Sequence, residues 1–202
     1  MSRQVYFDNA ATTPMRNEVV DRMTEVMKLN FGNASSTHSF GRSSKALIEQ
    51  SRKVIASFLK VSASEIVFTS GGTEADNLVL RSAVKDLKVE EIITSKIEHH
   101  AILHTVEELS KEFKIDVKYV DLDSKGNINY QHLEQLLQSA KKQLVSLMHI
   151  NNEIGNTLDI KRVADLCKLN NRRTEDTGCG FSSGKIRIER KSNLFFFRKY
   201  NW

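Results

Sequence analysis

The sequence predicts an α/β fold, with a mostly parallel sheet and covering helices. Three observations carry that prediction. Short apolar runs alternate with helical patterns of ten or more residues, the mark of βαβ units. Polar, turn-forming clusters follow several of those runs, as loops at the carboxyl edge of a parallel sheet do. An apolar fraction of 40% against a charged fraction of 27% describes a chain that can bury a core.

The elements follow in order. Pro14 closes an extended arm, and Val19, Met23, Val26 and Met27 then mark one face of a first helix. Residues 41–59 read as a second helix, with Ala46, Leu47, Val54, Ile55 and Phe58 on one stripe. Residues 66–69, Ile-Val-Phe-Thr, read as a strand that runs through Ser70-Gly71-Gly72-Thr73 into a helix carrying Leu78, Leu80 and Val84. Residues 92–94 form the next strand and 101–113 the next helix. Residues 117–120 alternate as a strand, and Ser124-Lys125-Gly126-Asn127 is a turn. Residues 130–142 are helical, 144–150 a buried strand and 160–169 an amphipathic helix.

After Asn171 the pattern fails. Another buried strand is due, and the chain supplies Arg-Arg-Thr-Glu-Asp-Thr-Gly-Cys-Gly instead. Ile186 and Ile188 could make one short strand, with no helix to cover it. The expected organisation is a main domain over residues 1–171 and an unrelated basic tail over 172–202, either frameshifted or disordered.

Charge supports that division. The chain carries a net charge of +5. Residues 172–202 hold eight Lys or Arg against three acids, and residues 1–171 hold 22 of each. The basic excess therefore says nothing about the main domain, and no nucleic-acid partner is expected for it. No apolar stretch is long enough to cross a membrane. The two cysteines, Cys167 and Cys179, make no disulfide framework, so a reduced, cytoplasmic setting is expected.

Three clusters could carry chemistry. Ser70-Gly71-Gly72-Thr73-Glu74 opens a helix after a strand, where unpaired N–H groups meet anions. It is neither a P-loop nor a dinucleotide loop. Taken alone, an ordinary strand–turn–helix joint is the stronger reading. Glu98-His99-His100-Ala101 opens the next helix; a histidine there could be solvated, could stack on a flat ligand or could move protons. His100 and His104 have the spacing of a helical zinc pair without the glutamate of that motif, so a metal site is a poor reading. Asn151-Asn152-Glu153-Ile154-Gly155 follows the third apolar run and reads first as a turn. Together, a phosphate cradle, a flat ring and an amide on one sheet edge are what a planar phosphorylated cofactor needs.

Longer motifs then carry a resemblance. Phe7-Asp8-Asn9-Ala10-Ala11-Thr12-Thr13-Pro14 resembles the opening arm of the cysteine desulfurases, within the class V aminotransferase family. Residues 31–38 resemble that family's Gly-Asn-Pro-Ser-Ser-x-His loop, with Ala34 in place of proline. Residues 66–77 (IVFTSGGTEADN), 95–101 and 148–159 (MHINNEIGNTLD) are similar to family segments in the same order, so the resemblance spans residues 5–171.

The resemblance implies an incomplete large domain of the aspartate-aminotransferase-like fold, with pyridoxal phosphate as cofactor. Gly72 and Thr73 would hold its phosphate, His99 would stack over its ring, and Asn152 would bond the phenolic oxygen. His38 would lie near the active-site entrance; His100, His104 and Cys167 match no functional position. The implied reaction takes sulfur from L-cysteine, leaving alanine and an enzyme persulfide for iron–sulfur cluster assembly or thiolation. A homodimer and a sulfur-acceptor protein are the implied partners. Selenocysteine lyase is the near neighbour within the family, and a non-catalytic fragment binding partners or nucleic acid through the tail ranks below both.

The family's His-x-Asp-x-x-Gln and Ser-x-His-Lys sequences, the second carrying the Schiff-base lysine, do not occur in this chain. Nor does the domain bearing the nucleophilic cysteine. Cys179 echoes a sulfur-accepting loop only faintly. No catalytic residue is therefore assigned, and a truncated, inactive copy is expected. A sheet edge left bare after residue 150 is expected as well, with aggregation as its hazard.

Overall fold

The computed structural model describes residues 4–171 and the backbone of 194–196. The chain divides into two compact units, Met1–Val67 and Phe68–Asn201.

The first unit holds α1 (Asn17–Leu29), α2 (Ser39–Phe58) and a 3₁₀ turn at Ala63–Glu65. Periodicity places both helices as predicted, yet α1 buries no residue and α2 buries only Gly41, Ser44 and Ala56. His38 caps α2, its Nδ1 accepting from the Gly41 N–H at 3.4 Å. Gly41 is required by space. A Cβ there would lie 2.6 Å from the Asn33 carbonyl oxygen and press on that of Ser36. Ser62 and Glu65 form a capping box around the 3₁₀ turn, which sequence periodicity does not reveal.

The second unit is the predicted α/β layer structure. Strands β1 (Glu91–Thr94), β2 (Asp116–Tyr119) and β3 (Gln143–Ser146) pair in parallel in the order β2-β1-β3. Pleat alternation sends Ile92 and Leu144 to one face and Ile93 and Val145 to the other. On the first face, α3 (Gly72–Lys85) and α4 (His100–Phe113) bury Leu80, Ala83, Ile102, Val106 and Leu109. On the second, α5 (Tyr130–Leu136) and α6 (Ile160–Asn171) bury Leu133, Val163 and Cys167. Each fully buried Leu or Ile contributes about 1.5–3 kcal/mol, so these two clusters dominate the unit's stability.

Four expectations change. Residues 66–69 form no strand and pair with no described strand, and the boundary between units falls inside them. Apolar β-branched residues favour a strand, but a strand also needs a hydrogen-bonding neighbour. The helix expected over 130–142 stops at Leu136, whose carbonyl accepts from Gln143 Nε2 at 2.8 Å; that amide also donates to Glu91. β3 is shorter than residues 144–150, because the Met148 N–H and the His149 carbonyl turn to Glu98 and Leu158. The outer edge of β3 is not bare: β4 (Leu194–Phe196) pairs with it in parallel, Leu144 opposite Leu194. A three-residue apolar run with strand propensity takes up the template that an open edge offers.

Candidate functional site

Strands β1 and β3 run parallel, so helices returning over the sheet open at its carboxyl edge. α3 and α4 both do. Gly72 and Thr73 are the first two residues of α3, and Thr73 is exposed. Gly71, at the N-cap, is extended and donates no side-chain cap, so side chains leave the first-turn N–H groups of α3 uncapped. Glu74 lies one residue further on. The Ser70 hydroxyl and backbone N–H each donate to its Oε2 at 2.6 Å. Those bonds hold the Glu74 carboxyl below its usual range, so it is charged and committed to the loop at neutral pH.

His99 is the N-cap of α4 and is half-buried. Its Nδ1 accepts from the Ala101 N–H at 3.1 Å. A neutral ring held this way carries its proton on Nε2. The neighbouring His100 ring lies 6.2 Å from it.

Two residues without an assigned role build the ground under His99 and Asn152. Glu98 is buried, and its Oε1 accepts from the Met148 N–H at 2.6 Å. Asn151 is buried too; its Nδ2 donates to the Ile97 carbonyl at 2.9 Å and contacts Met148 Sδ at 3.1 Å. Its Oδ1 accepts from the Glu153 and Ile154 N–H groups at 2.8 and 3.0 Å. The segment leading to His99 and the turn carrying Asn152 are thereby fastened together across β1 and β3. Asn152 is half-buried and donates to Glu153 Oε1 at 2.9 Å. A buried polar residue demands a partner, so an acid or amide at the end of an apolar run is the signal that could have found Glu98 and Asn151.

Of the predicted set, Gly72, Thr73, His99 and Asn152 thus all lie in the second unit on loops and helix starts of one edge. A cavity of about 200 Å³ at this edge is lined by Ser95, Glu98, Tyr130, Met148 and Asn151 among others, and by none of those four. His38 belongs to the first unit, as the cap of α2. The His100 and His104 rings lie 5.4 Å apart, and no group of three metal-ligating side chains occurs among the described residues. Cys167 is buried in the core of the second unit. Cys179, Ile186, Ile188 and the remainder of the tail beyond Asn171, apart from β4, lie outside the described residues. No described helix is long and apolar enough to cross a membrane.

Chemically, the edge offers helix N–H groups for an anion, an imidazole with one nitrogen fixed, and an amide. It also holds unspent polar capacity. Thr94 Oγ1 and Ser146 Oγ, at the ends of β1 and β3, are buried without a hydrogen-bond partner. Each such group costs about 1–3 kcal/mol, which stability alone does not explain.

Known proteins are similar to this chain in sequence and fold. The family model for class-V aminotransferases matches residues 5–174. A putative cysteine desulfurase, IscS 1 of Bacillus subtilis, is 42% identical over 168 residues, 82% of this chain and 44% of that protein. A solved NifS-like protein superposes with a TM-score of 0.80 at 37% identity, over 85% of this chain and 47% of that one. A structure described as SspA in complex with cysteine gives 0.75 at 33% identity, over 82% and 48%. The chain spans less than half the length of each of these relatives. With a matched segment that takes in both helix starts and the Asn152 turn, the chain belongs to the class-V aminotransferase family.

Proposed function

We propose that the second unit is the cofactor-binding half of a pyridoxal-phosphate-dependent cysteine desulfurase. The observation that carries this reading is the opening of α3 and α4 at one sheet edge, the first with uncapped N–H groups and the second with His99. The donor set fits the cofactor. A phosphate suits the α3 N-terminus with Gly72 and Thr73, a flat ring suits the imidazole of His99, and a phenolic oxygen suits the amide of Asn152. The unpartnered hydroxyls of Thr94 and Ser146 add polar capacity at the same edge. When bound, the cofactor would supply an electron sink for chemistry at an amino acid's α-carbon. This chain's residues would bind and orient it, and His99 would hold a proton at Nε2. A relative of known structure described in complex with cysteine supports L-cysteine as the substrate class.

Turnover is a separate matter. Residues 1–202 contain neither the His-x-Asp-x-x-Gln nor the Ser-x-His-Lys sequence, so by themselves they are expected to bind cofactor weakly and to release no alanine from cysteine. The test is a titration of the chain with pyridoxal 5′-phosphate followed by absorbance and fluorescence, beside an assay for alanine. Thr73→Ala should weaken binding about fivefold, the loss of one ordinary hydrogen bond. His99→Ala should weaken it by a similar factor through the lost ring contact. Absence of saturable binding at millimolar cofactor sinks the cofactor reading. Cofactor-dependent alanine release sinks the expectation of inactivity.

A further inference from the structure

We infer that Asn77 and Thr105 are positioning residues that set the Thr73 loop against the helix opened by His99. The inference rests on the cofactor reading of those two sites.

The two helices that open at the sheet edge are joined by a graded seam. At its outer end, Arg81 on α3 reaches Glu108 on α4 at 2.6 Å and Glu112 at 3.8 Å, and Lys85 reaches Glu112 at 4.0 Å. These are partly or wholly exposed ion pairs, which contribute little and hold no geometry tightly. At the end nearest the site the chemistry changes. Thr105 of α4 is 3% exposed, and its hydroxyl donates to Asn77 Oδ1 of α3 at 2.8 Å. Asn77 Nδ2 in turn donates to the carbonyl oxygen of Thr73 at 3.0 Å. Its side chain therefore grips the carbonyl that an α-helix already directs to residue 77 through the backbone.

The bond runs in one direction, from a buried hydroxyl on α4 through an amide to the main chain of the second residue of α3. It fixes both ends of the Asn77 amide, so the side-chain flip and the rotamer are set together. An asparagine in mid-helix costs helix propensity, and this one returns it by restraining the first turn. The restrained turn is the one with uncapped N–H groups. Thr105 lies in the second turn of the helix that His99 caps, so movement of α4 along α3 would carry His99 with it. An anion at the first turn and a ring at His99 need those two starts at a constant spacing. A group that binds at two points is sensitive to sub-ångström changes between them.

A purely structural role and a positioning role separate cleanly at Thr105. Thr105→Val keeps the shape and deletes the hydroxyl. Thr105→Ser keeps the hydroxyl and deletes a buried methyl group. The unsubstituted chain and both variants are titrated with pyridoxal 5′-phosphate and melted thermally in parallel, with Arg81→Gln from the exposed end of the seam as the control. Positioning predicts about a fivefold weaker cofactor dissociation constant in Thr105→Val. It predicts unchanged binding in Thr105→Ser despite a lower melting temperature, and no binding change in Arg81→Gln. Binding that follows melting temperature across the three variants overturns the inference. Should the unsubstituted chain bind no pyridoxal phosphate, the cofactor reading falls by itself. Amide hydrogen exchange then decides the strut: faster exchange over residues 73–77 in Thr105→Val but not in Thr105→Ser sustains it, and equal exchange in both overturns it.

Discussion

Two regions of this chain carry the same kind of amphipathic helix and put it to different use. In the second unit, the apolar stripe of α3 disappears into a core: Leu80 is 0% exposed, as are Ile92 and Leu144 opposite it. In the first unit, α1 has an equally regular stripe and buries none of it, Met23 staying 45% exposed and Met27 67%. Val54 and Phe58 of α2 are exposed as well. Periodicity reports which face of a helix is apolar. It does not report whether the chain supplies something to cover that face.

Core truncation is the strongest way to break the comparison. Leu80→Ala should cost about 3 kcal/mol, from lost transfer energy and the cavity left in a fully packed cluster. Met23→Ala should cost less than about 0.5 kcal/mol, since the side chain is half in water already. Urea denaturation of both variants checks the pair. Equal losses would show that α1 has a partner in solution that its exposed stripe conceals.

A second substitution should reverse the ranking locally. Gly41→Ala lies in the loosely packed first unit, yet its Cβ would meet two backbone carbonyls, and backbone yields poorly. A loss of about 2 kcal/mol is expected by the same denaturation experiment. Gly155→Ala gives the measure of scale. There φ is +72° and nothing lies within 4 Å, so only backbone strain of about 1 kcal/mol is at stake. If Gly41→Ala were the cheaper of the two, the tight loop between α1 and α2 would have to be looser than its contacts state.

The difference between the units also explains what the sequence could reveal. Helix and strand positions in the second unit were legible, because alternation at Ile92-Ile93 and Leu144-Val145 and the stripes of α3, α4 and α6 each match one packed face. Residues 66–69 have the same composition and no strand partner among the described residues, so composition misleads there. The loops carrying Gly72, Thr73, His99 and Asn152 were legible from motifs. Their supports were not. Glu98 and Asn151 act through bonds to Met148 and Ile97, 50 and 54 residues away, and Asn77 joins Thr73 to Thr105, 28 residues on. The pattern marks such residues as polar where burial is expected but does not name their partners.

Acid provides the mildest probe of the contrast. Four carboxyls held below their ordinary range, Glu74, Glu107, Asp116 and Asp123, all belong to the second unit. Hydrogen bonds are the first cause in each case: Ser70 to Glu74, Lys111 to Glu107, Lys141 to Asp116 and Asn127 to Asp123. A carboxyl lowered in the folded state adds stability that is complete above its unfolded value. That stability is lost as pH falls from there through the folded value. The loss should therefore begin near the ordinary carboxyl values of 4.5 and 3.8, not at neutral pH. Lys141 runs the opposite way. Asp116 raises its value, so its share is complete below 10.5 and fades only as pH climbs through the raised value. Between those limits the Asp116–Lys141 pair contributes steadily at its 2.5 Å contact. All of these groups are open to solvent, so each share is small and screened by salt. Lys141→Gln should flatten the acid limb of a melting-temperature profile slightly at low ionic strength, and the difference should vanish in molar salt. A flattening that survives molar salt would mean the Asp116–Lys141 bond is shielded from water, and the second unit would then owe some of its stability to charge as well as to its core.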